Sequence, residues 1–294
     1  MASEFRYSDK NPDHPVAYAG FYAMHTRIET VVTDIDEERA RELADGIEAE
    51  VKSLERLFNR FDDTSPLAVL NARGAREAVA VDDELFMALE LCEAFRRGTG
   101  GYFDIATSTS AAAAAAGRAS CMLDPAAHTV RLAGDDVRLD LGGFAKGYAL
   151  ERARRLAVDA GVENGVLNFG NSSVTVLGRH PYGEWWAIGV EHTKIQSVAA
   201  HEFRLRDSAL SVSGRSPRGE YHIVNPMTGT AVAGDELIAV EGRSALVAEV
   251  LSTALYAAPR AKREAVMAQY EGYAALELWC RDGGGCEIYR IGRR

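Results

Sequence analysis

Between Asp34 and Phe58 the chain sets apolar residues at Ala40, Leu43, Ala44, Ile47, Val51, Leu54, Leu57 and Phe58, with charged residues between them. Steps of three and four place the first set on one stripe of an α-helix and the charges on the other. Asp34 with Glu37 supplies a start signal for that helix. It follows a segment, Tyr18 to Val32, rich in β-branched and aromatic residues, which reads as a strand. The first 17 residues are polar and proline-bearing and read as a flexible tail, leaving 18–294 as one domain of two closely packed lobes.

The same spacing predicts a second helix from about Asp83 to Arg97, with Gly98 after its end. A third is expected from Ala145 to Ala160, with Ala149, Ala153, Leu156 and Ala157 inward and Gly161 as the stop, and a last one from Ser244 to Ala258, ended by Pro259. The run Ala111 to Ala116 reads as a short helical turn, since alanine has the best intrinsic helix propensity. The stretch HTVRLAGDDVRLD reads as a hairpin around its GDD centre, short strands dominate from Gly165 to Val224, and two more strands flank Asp282 to Gly285. Strands and helices without regular βαβ alternation indicate α+β.

With 294 residues, 47% of them hydrophobic, the chain can bury a sizeable core. A net charge of −10 argues against binding nucleic acid or an anionic membrane through bulk electrostatics, although a local basic pocket for a small anion remains open. The first twenty residues carry no apolar signal segment, and no run of about 18 apolar residues occurs. As written, the chain is expected in the cytoplasm, or outside it if a leader has been lost. Cys92, Cys121, Cys280 and Cys286 lack CxxC spacing and are expected as free thiols, a Cys280 to Cys286 bridge being the alternative in an exported protein.

Several stretches carry residues that could do chemistry. DLGGFAKGYALERA, residues 140–153, matches neither a Walker loop nor a Rossmann fingerprint. It shares their physics, because glycines let a backbone approach a ligand and a helix start with a lysine favours phosphate; the alternative is a tight turn with Lys146 in solvent. His222, two residues before Val224 and three before the Asn225-Pro226 turn, could act as a general base or simply bond a nearby carbonyl. Glu249 and Thr253 lie four apart on a helix, where they are oxygen donors for a hard cation or else an exposed acid and a back-bonded hydroxyl. Tyr102-Phe103-Asp104 and Phe61 put aromatics beside loops, for a flat heterocycle or for the core.

Taken in order, Met24-His25-Thr26, Ser65 to Asn71, Gly100 to Asp104, Asp140 to Arg152, Leu167 to Asn171, Ser211 to Arg215, Tyr221 to Gly229 and Leu251 to Tyr256 resemble the FAD:protein FMN transferase family, the ApbE-like flavin transferases. The resemblance implies an α+β protein of T-fold-like architecture, with mixed or antiparallel sheets and packed helices. It implies binding of FAD with Mg²⁺ on the pyrophosphate, and transfer of FMN to a serine or threonine hydroxyl of a partner flavoprotein with release of AMP. Carried over, Met24, Phe61, Tyr102, Phe103, Asp104, Asp140, Lys146 and Val224 would line FAD. Ala145 through its carbonyl, Glu249, Ser252 and Thr253 would sit at the metal, and His222 would activate the acceptor hydroxyl.

The chain departs from that pattern. Glu249 stands where relatives usually carry aspartate, Phe61 where many have tyrosine, and His25 where glycine is usual. Ile105-Ala106-Thr107 replaces the usual Pro and Thr after FD, and Gly170-Asn171-Ser172 replaces the usual Gly-Gly-Asp/Asn loop. Two other readings therefore stand beside transfer: an FAD pyrophosphatase giving FMN and AMP, and a non-catalytic flavin-binding paralogue.

Overall fold

The computed structural model describes residues 3–106, 120–195, 197–214 and 223–292. Its elements in chain order are β1 (Glu4–Ser8), β2 (Val16–Ala23), β3 (Thr26–Thr33), α1 (Glu37–Phe58), α2 (Pro66–Arg73), β4 (Val79–Ala80), α3 (Asp83–Gly98), β5 (Cys121–Asp124), β6 (Thr129–Leu132), α4 (Ala145–Asp159), β7 (Asn164–Phe169), β8 (Ser173–Leu177), β9 (Trp186–Glu191), β10 (Ala199–Leu205), β11 (Ala209–Ser213), β12 (Val224–Asn225), β13 (Thr230–Ala231), β14 (Leu237–Gly242), α5 (Ala245–Ala257), α6 (Arg260–Met267), β15 (Ala274–Cys280) and β16 (Cys286–Ile291). Nine strands form one sheet in the order β1-β2-β3-β7-β8-β11-β14-β15-β16, and every neighbouring pair is antiparallel. The α+β expectation holds.

The sheet is covered differently on its two faces. On one, α1 packs on β2, α4 on β7 and β8, and α5 on β11 and β14. On the other, Val174, Val176, Leu210, Leu237, Ala239 and Leu278 meet Trp186, Val190, Phe203 and Leu205 of the β9–β10 hairpin. Strand alternation then makes β8 and β11 two-faced: Val174 and Leu210 point to the hairpin, whereas Ser173 and Ser211 bond to Glu249 on α5.

The long helix forms with its expected stripe: Ala40, Leu43, Ile47, Val51, Leu54 and Phe58 are buried. Its cap is Asp36, whose side chain accepts from the Arg39 amide at 2.9 Å, and not Asp34. Asp34 instead adopts φ 64 and accepts from His14 Nδ1 at 2.8 Å and Asn164 Nδ2 at 3.2 Å. Helices α3 and α4 lie within a residue of where the spacing put them, Gly98 being the last residue of α3, whereas α2 was not expected. The fourth expected helix, α5, is capped by Ser244 and stops at Ala257, but it is not the last, because Pro259 ends it and leads directly into α6.

Three other expectations are corrected. Residues 1–17 are not a loose tail throughout: β1 pairs with β2 from Glu4↔Gly20 to Ser8↔Val16 and forms one sheet edge. Tyr18 to Val32 is two strands, turned at Met24 and His25, which take φ 50 and 59. Both central residues left-handed is the geometry of a type I′ hairpin, usually signalled by Asn-Gly, and that signal is missing here. HTVRLAGDDVRLD is not a hairpin, because β6 pairs with β5 through a turn in which Asp124 Oδ1 accepts from the Ala126 and Ala127 amides at 2.9 and 3.0 Å. Its second arm reaches only an isolated bridge between Leu139 and Ala106.

Ala111 to Ala116 and His222 lie outside the described residues. The four cysteines are free thiols, with Cys280 and Cys286 facing each other across β15 and β16, Sγ to Sγ 3.0 Å. Among the described residues no helix is long and apolar enough to cross a membrane.

Candidate functional site

The segment 140–153 begins just after that bridge and runs into α4. Asn71 of α2 pins its upstream end, donating to the Leu139 carbonyl at 2.9 Å and accepting from the Leu139 amide at 2.7 Å. Asn71 is in place because α2 starts cleanly: Ser65 caps the Ala68 amide at 3.0 Å and Pro66 occupies the first turn. Downstream, Glu151 accepts from the Ser244 hydroxyl at 2.8 Å and the Ala245 amide at 3.0 Å, so an acid of α4 satisfies the start of α5.

Two glycines of the segment, Gly143 and Gly147, make room for α5, and Gly143 also lines the neighbouring cleft. A Cβ at Gly147 would lie 2.6 Å from Glu249 Cβ, and one at Gly143 would lie 3.2 Å from Thr253 Cγ2. The close crossing brings Glu249 to Lys146: its Oε1 accepts from Nζ at 2.6 Å. Oε2 accepts from the Ser211 hydroxyl at 3.0 Å and from Ser173. Ser252, fully buried, bonds Ser211 at 3.0 Å, Ser213 at 2.8 Å and the Glu249 carbonyl at 3.0 Å. Lys146 therefore does not stand free in solvent but neutralises the carboxylate expected at the metal.

Lys146 and Glu249 border a cleft of about 1640 Å³. Met24, Phe61, Tyr102, Phe103, Asp104, Asp140, Ala145, Lys146, Val224, Glu249 and Thr253 all line it; Ser252 does not. At the mouth, Asp140 Oδ2 accepts from Arg60 Nε at 3.0 Å, and the Arg60 guanidinium lies 4.4 Å from the centre of the Phe61 ring. Phe61 is 71% exposed and meets His25 edge-on at 6.4 Å. The aromatic loop is held by Thr99, whose hydroxyl accepts from the Phe103 amide at 3.1 Å. Phe103 is buried edge-on against Phe95 and offers only a floor. Burial raises the Asp104 carboxyl above its ordinary range, opposed by the Ala106 amide at 2.9 Å and the Ser120 hydroxyl at 3.0 Å. Val224 is positioned by Asn225, which donates to the Ala257 carbonyl at the end of α5 at 3.0 Å.

Residues 24–276 match the model of the ApbE family. The chain belongs to the ApbE family. Among its relatives are the FAD:protein FMN transferase of Treponema pallidum (strain Nichols), 23% identical over 74% of this chain and 71% of that protein, and that of Rhodobacter capsulatus, 31% identical over 51% of this chain and 30% of that protein. The flavin transferase ApbE of Vibrio cholerae has the same fold, with TM-score 0.77 at 17% identity, covering 98% of this chain and 97% of that one. So does the ApbE protein of Thermotoga maritima, with TM-score 0.73 at 24% identity over 97% and 96% of the two chains.

In this ApbE-family chain the reading from sequence missed Arg60 and Ser173, and gave Ser211 and Ser213, inside the Ser211 to Arg215 stretch, no role at the site. Arg60 carried no signal beyond adjacency to Phe61. The serines did: in SVTVL and ALSVS they alternate with apolar residues on strands buried on both faces, and a polar stripe inside a core needs a polar partner.

Proposed function

We propose that the chain is an FAD:protein FMN transferase that passes the FMN half of FAD to a serine or threonine hydroxyl of a partner flavoprotein and releases AMP. The observation that carries this reading is the Lys146–Glu249–Thr253 cluster, set at the uncapped start of α4 and inside the cleft. A first helical turn beside a lysine suits a pyrophosphate, since amide N–H groups and the ammonium meet its negative oxygens. Phe61, with Tyr102 close to the same space, offers apolar and aromatic surface for a flat ring system.

Transfer exchanges one phosphorus–oxygen bond for another. The acceptor oxygen bonds the FMN phosphorus, the bond to the bridging oxygen breaks, and AMP takes that oxygen away. Lys146 lowers the charge that repels the incoming oxygen, and the cleft holds the reacting groups in line. In this reading His222 takes the hydroxyl proton.

In this reading magnesium would be held by the oxygen donors of Ala145, Glu249 and Thr253, which all line the cleft, and Lys146 stands at Glu249 Oε1 as a cation in its place. Ser252 does not fit, because it is sealed behind the carboxylate. Among the described residues no group of three or more His, Cys, Asp or Glu is gathered, and in this reading the cation would complete its shell with waters and phosphate oxygens. When bound, magnesium supplies Lewis-acid neutralisation of the pyrophosphate.

The test is incubation with FAD, Mg²⁺ and a candidate acceptor, followed by ultraviolet illumination of a denaturing gel. A fluorescent acceptor band is expected. AMP released without labelling would establish the pyrophosphatase reading instead, and intact FAD copurifying with an inert protein the binding-only one.

A further inference from the structure

Glu249 is buried, and its two carboxylate oxygens are held in different ways. Oε2 is bonded by Ser211 and Ser173, hydroxyls on two central strands that are themselves 2% and 1% exposed. Neither serine can leave without opening a void in the core. Oε1 is bonded by Lys146, whose flexible stem starts in the first turn of α4 and whose side chain is 24% exposed along the cleft. One oxygen is tied to the framework; the other is covered by a cation that can swing away.

We infer that Lys146 is a built-in occupant of the cation position, held on Glu249 until a pyrophosphate draws it off, so that divalent cation and dinucleotide load the site as a coupled pair. The inference rests on the proposed flavin-transfer reading for the identity of the dinucleotide. In the protein alone, a divalent cation reaches Oε1 only by breaking a partly buried ion pair, and the displaced ammonium gains nothing but water. A pyrophosphate changes that balance, because it offers the ammonium charged oxygens of its own. Oε1 is then uncovered while the serines keep the carboxylate aimed. By reciprocity, whatever factor the dinucleotide adds to cation affinity, the cation adds to dinucleotide affinity. The arrangement also keeps a negative carboxylate from facing the incoming phosphates in a protein that has not yet found its metal.

The experiment uses Mn²⁺ as the probe, with free ion read by electron paramagnetic resonance, on flavin-free wild type, Lys146→Met and Glu249→Gln. Without nucleotide, Lys146→Met is expected to bind Mn²⁺ about tenfold more tightly than wild type, and Glu249→Gln more weakly than either. Adding FAD or inorganic pyrophosphate is expected to tighten wild-type binding by about tenfold and to tighten Lys146→Met by less than about threefold. Equal nucleotide-free affinities in wild type and Lys146→Met would overturn the inference, as would an equal gain in both on adding pyrophosphate. Lys146→Gln, which keeps a hydrogen-bond donor for Oε1 and drops the charge, gives the same comparison if the methionine variant is unstable. Flavin binding is followed separately by quenching of FAD fluorescence. If wild type takes up no FAD, the flavin reading fails while the nucleotide-free and pyrophosphate measurements still decide the exchange.

Discussion

Two buried carboxylate clusters sit in the layer around α5 and α6, and they are built for opposite ends. In one, Arg263 of α6 spans Glu236 at 2.8 Å and Glu277 at 3.2 Å, with side-chain exposures of 5%, 9% and 2%. In the other, Lys146 holds Glu249 at 2.6 Å beside an open cleft. A guanidinium fork sealed between two acids gives fixed geometry; an ammonium on a flexible stem gives a single bond that can be exchanged. Burial of an acid is thus common to both, and the kind of cation and its access to solvent separate a structural tie from a loading position.

The largest expected effect tests the sealed cluster. Arg263→Met leaves Glu236 without its cation and Glu277 with only the exposed Arg260 at 3.2 Å, and should cost about 3 kcal/mol in chemical denaturation. A loss below about 1 kcal/mol would remove the contrast, since the arginine would then be as dispensable as an exposed ion pair. Next, Ser211→Ala deletes one of the two bonds on Glu249 Oε2. A hydrogen bond to a charged group is worth about 1.5–3 kcal/mol, and a loss of that size should come with weaker Mn²⁺ binding in the presence of FAD. Unchanged Mn²⁺ affinity in a folded Ser211→Ala protein would mean that the serine does not aim the carboxylate.

The smallest effect concerns Asp104, an acid whose carboxyl is raised chiefly by burial. A raised folded-state value means that protonation favours the fold, so this contribution is full below the unfolded-state value and is lost as pH rises through the folded one. Wild type should therefore lose slightly more stability than Asp104→Asn as pH climbs just above the ordinary aspartate range, measured as the difference in urea midpoints. The opposite slope would show that the Ala106 amide and Ser120 hydroxyl outweigh burial.

Helices α1, α3, α4 and α5 were legible because each has a stripe of apolar residues and a capping or stopping residue near its ends. β1 was not, since EFRYS is short and mixed, and only its pairing with β2 makes it a strand. The turn at Met24 and His25 was hidden because neither residue is a usual left-handed one. At the site, the spacing of Glu249 and Thr253 put both on one helix face, and both line the cleft. The same helical reasoning could not separate them from Ser252, which lies one position away and faces the serine-lined strands. Nor could it pair Lys146 with Glu249, 103 residues apart, because that contact depends on how closely two helices cross.

That crossing is set at Gly147, which lacks the atom that would keep α5 away. The separation of lysine and carboxylate is therefore fixed by a spacer of zero thickness, and a single methyl group is the finest shim available for widening it. Any longer side chain at this position acts on the charge pair as a wedge between its two supports, without touching either charged group.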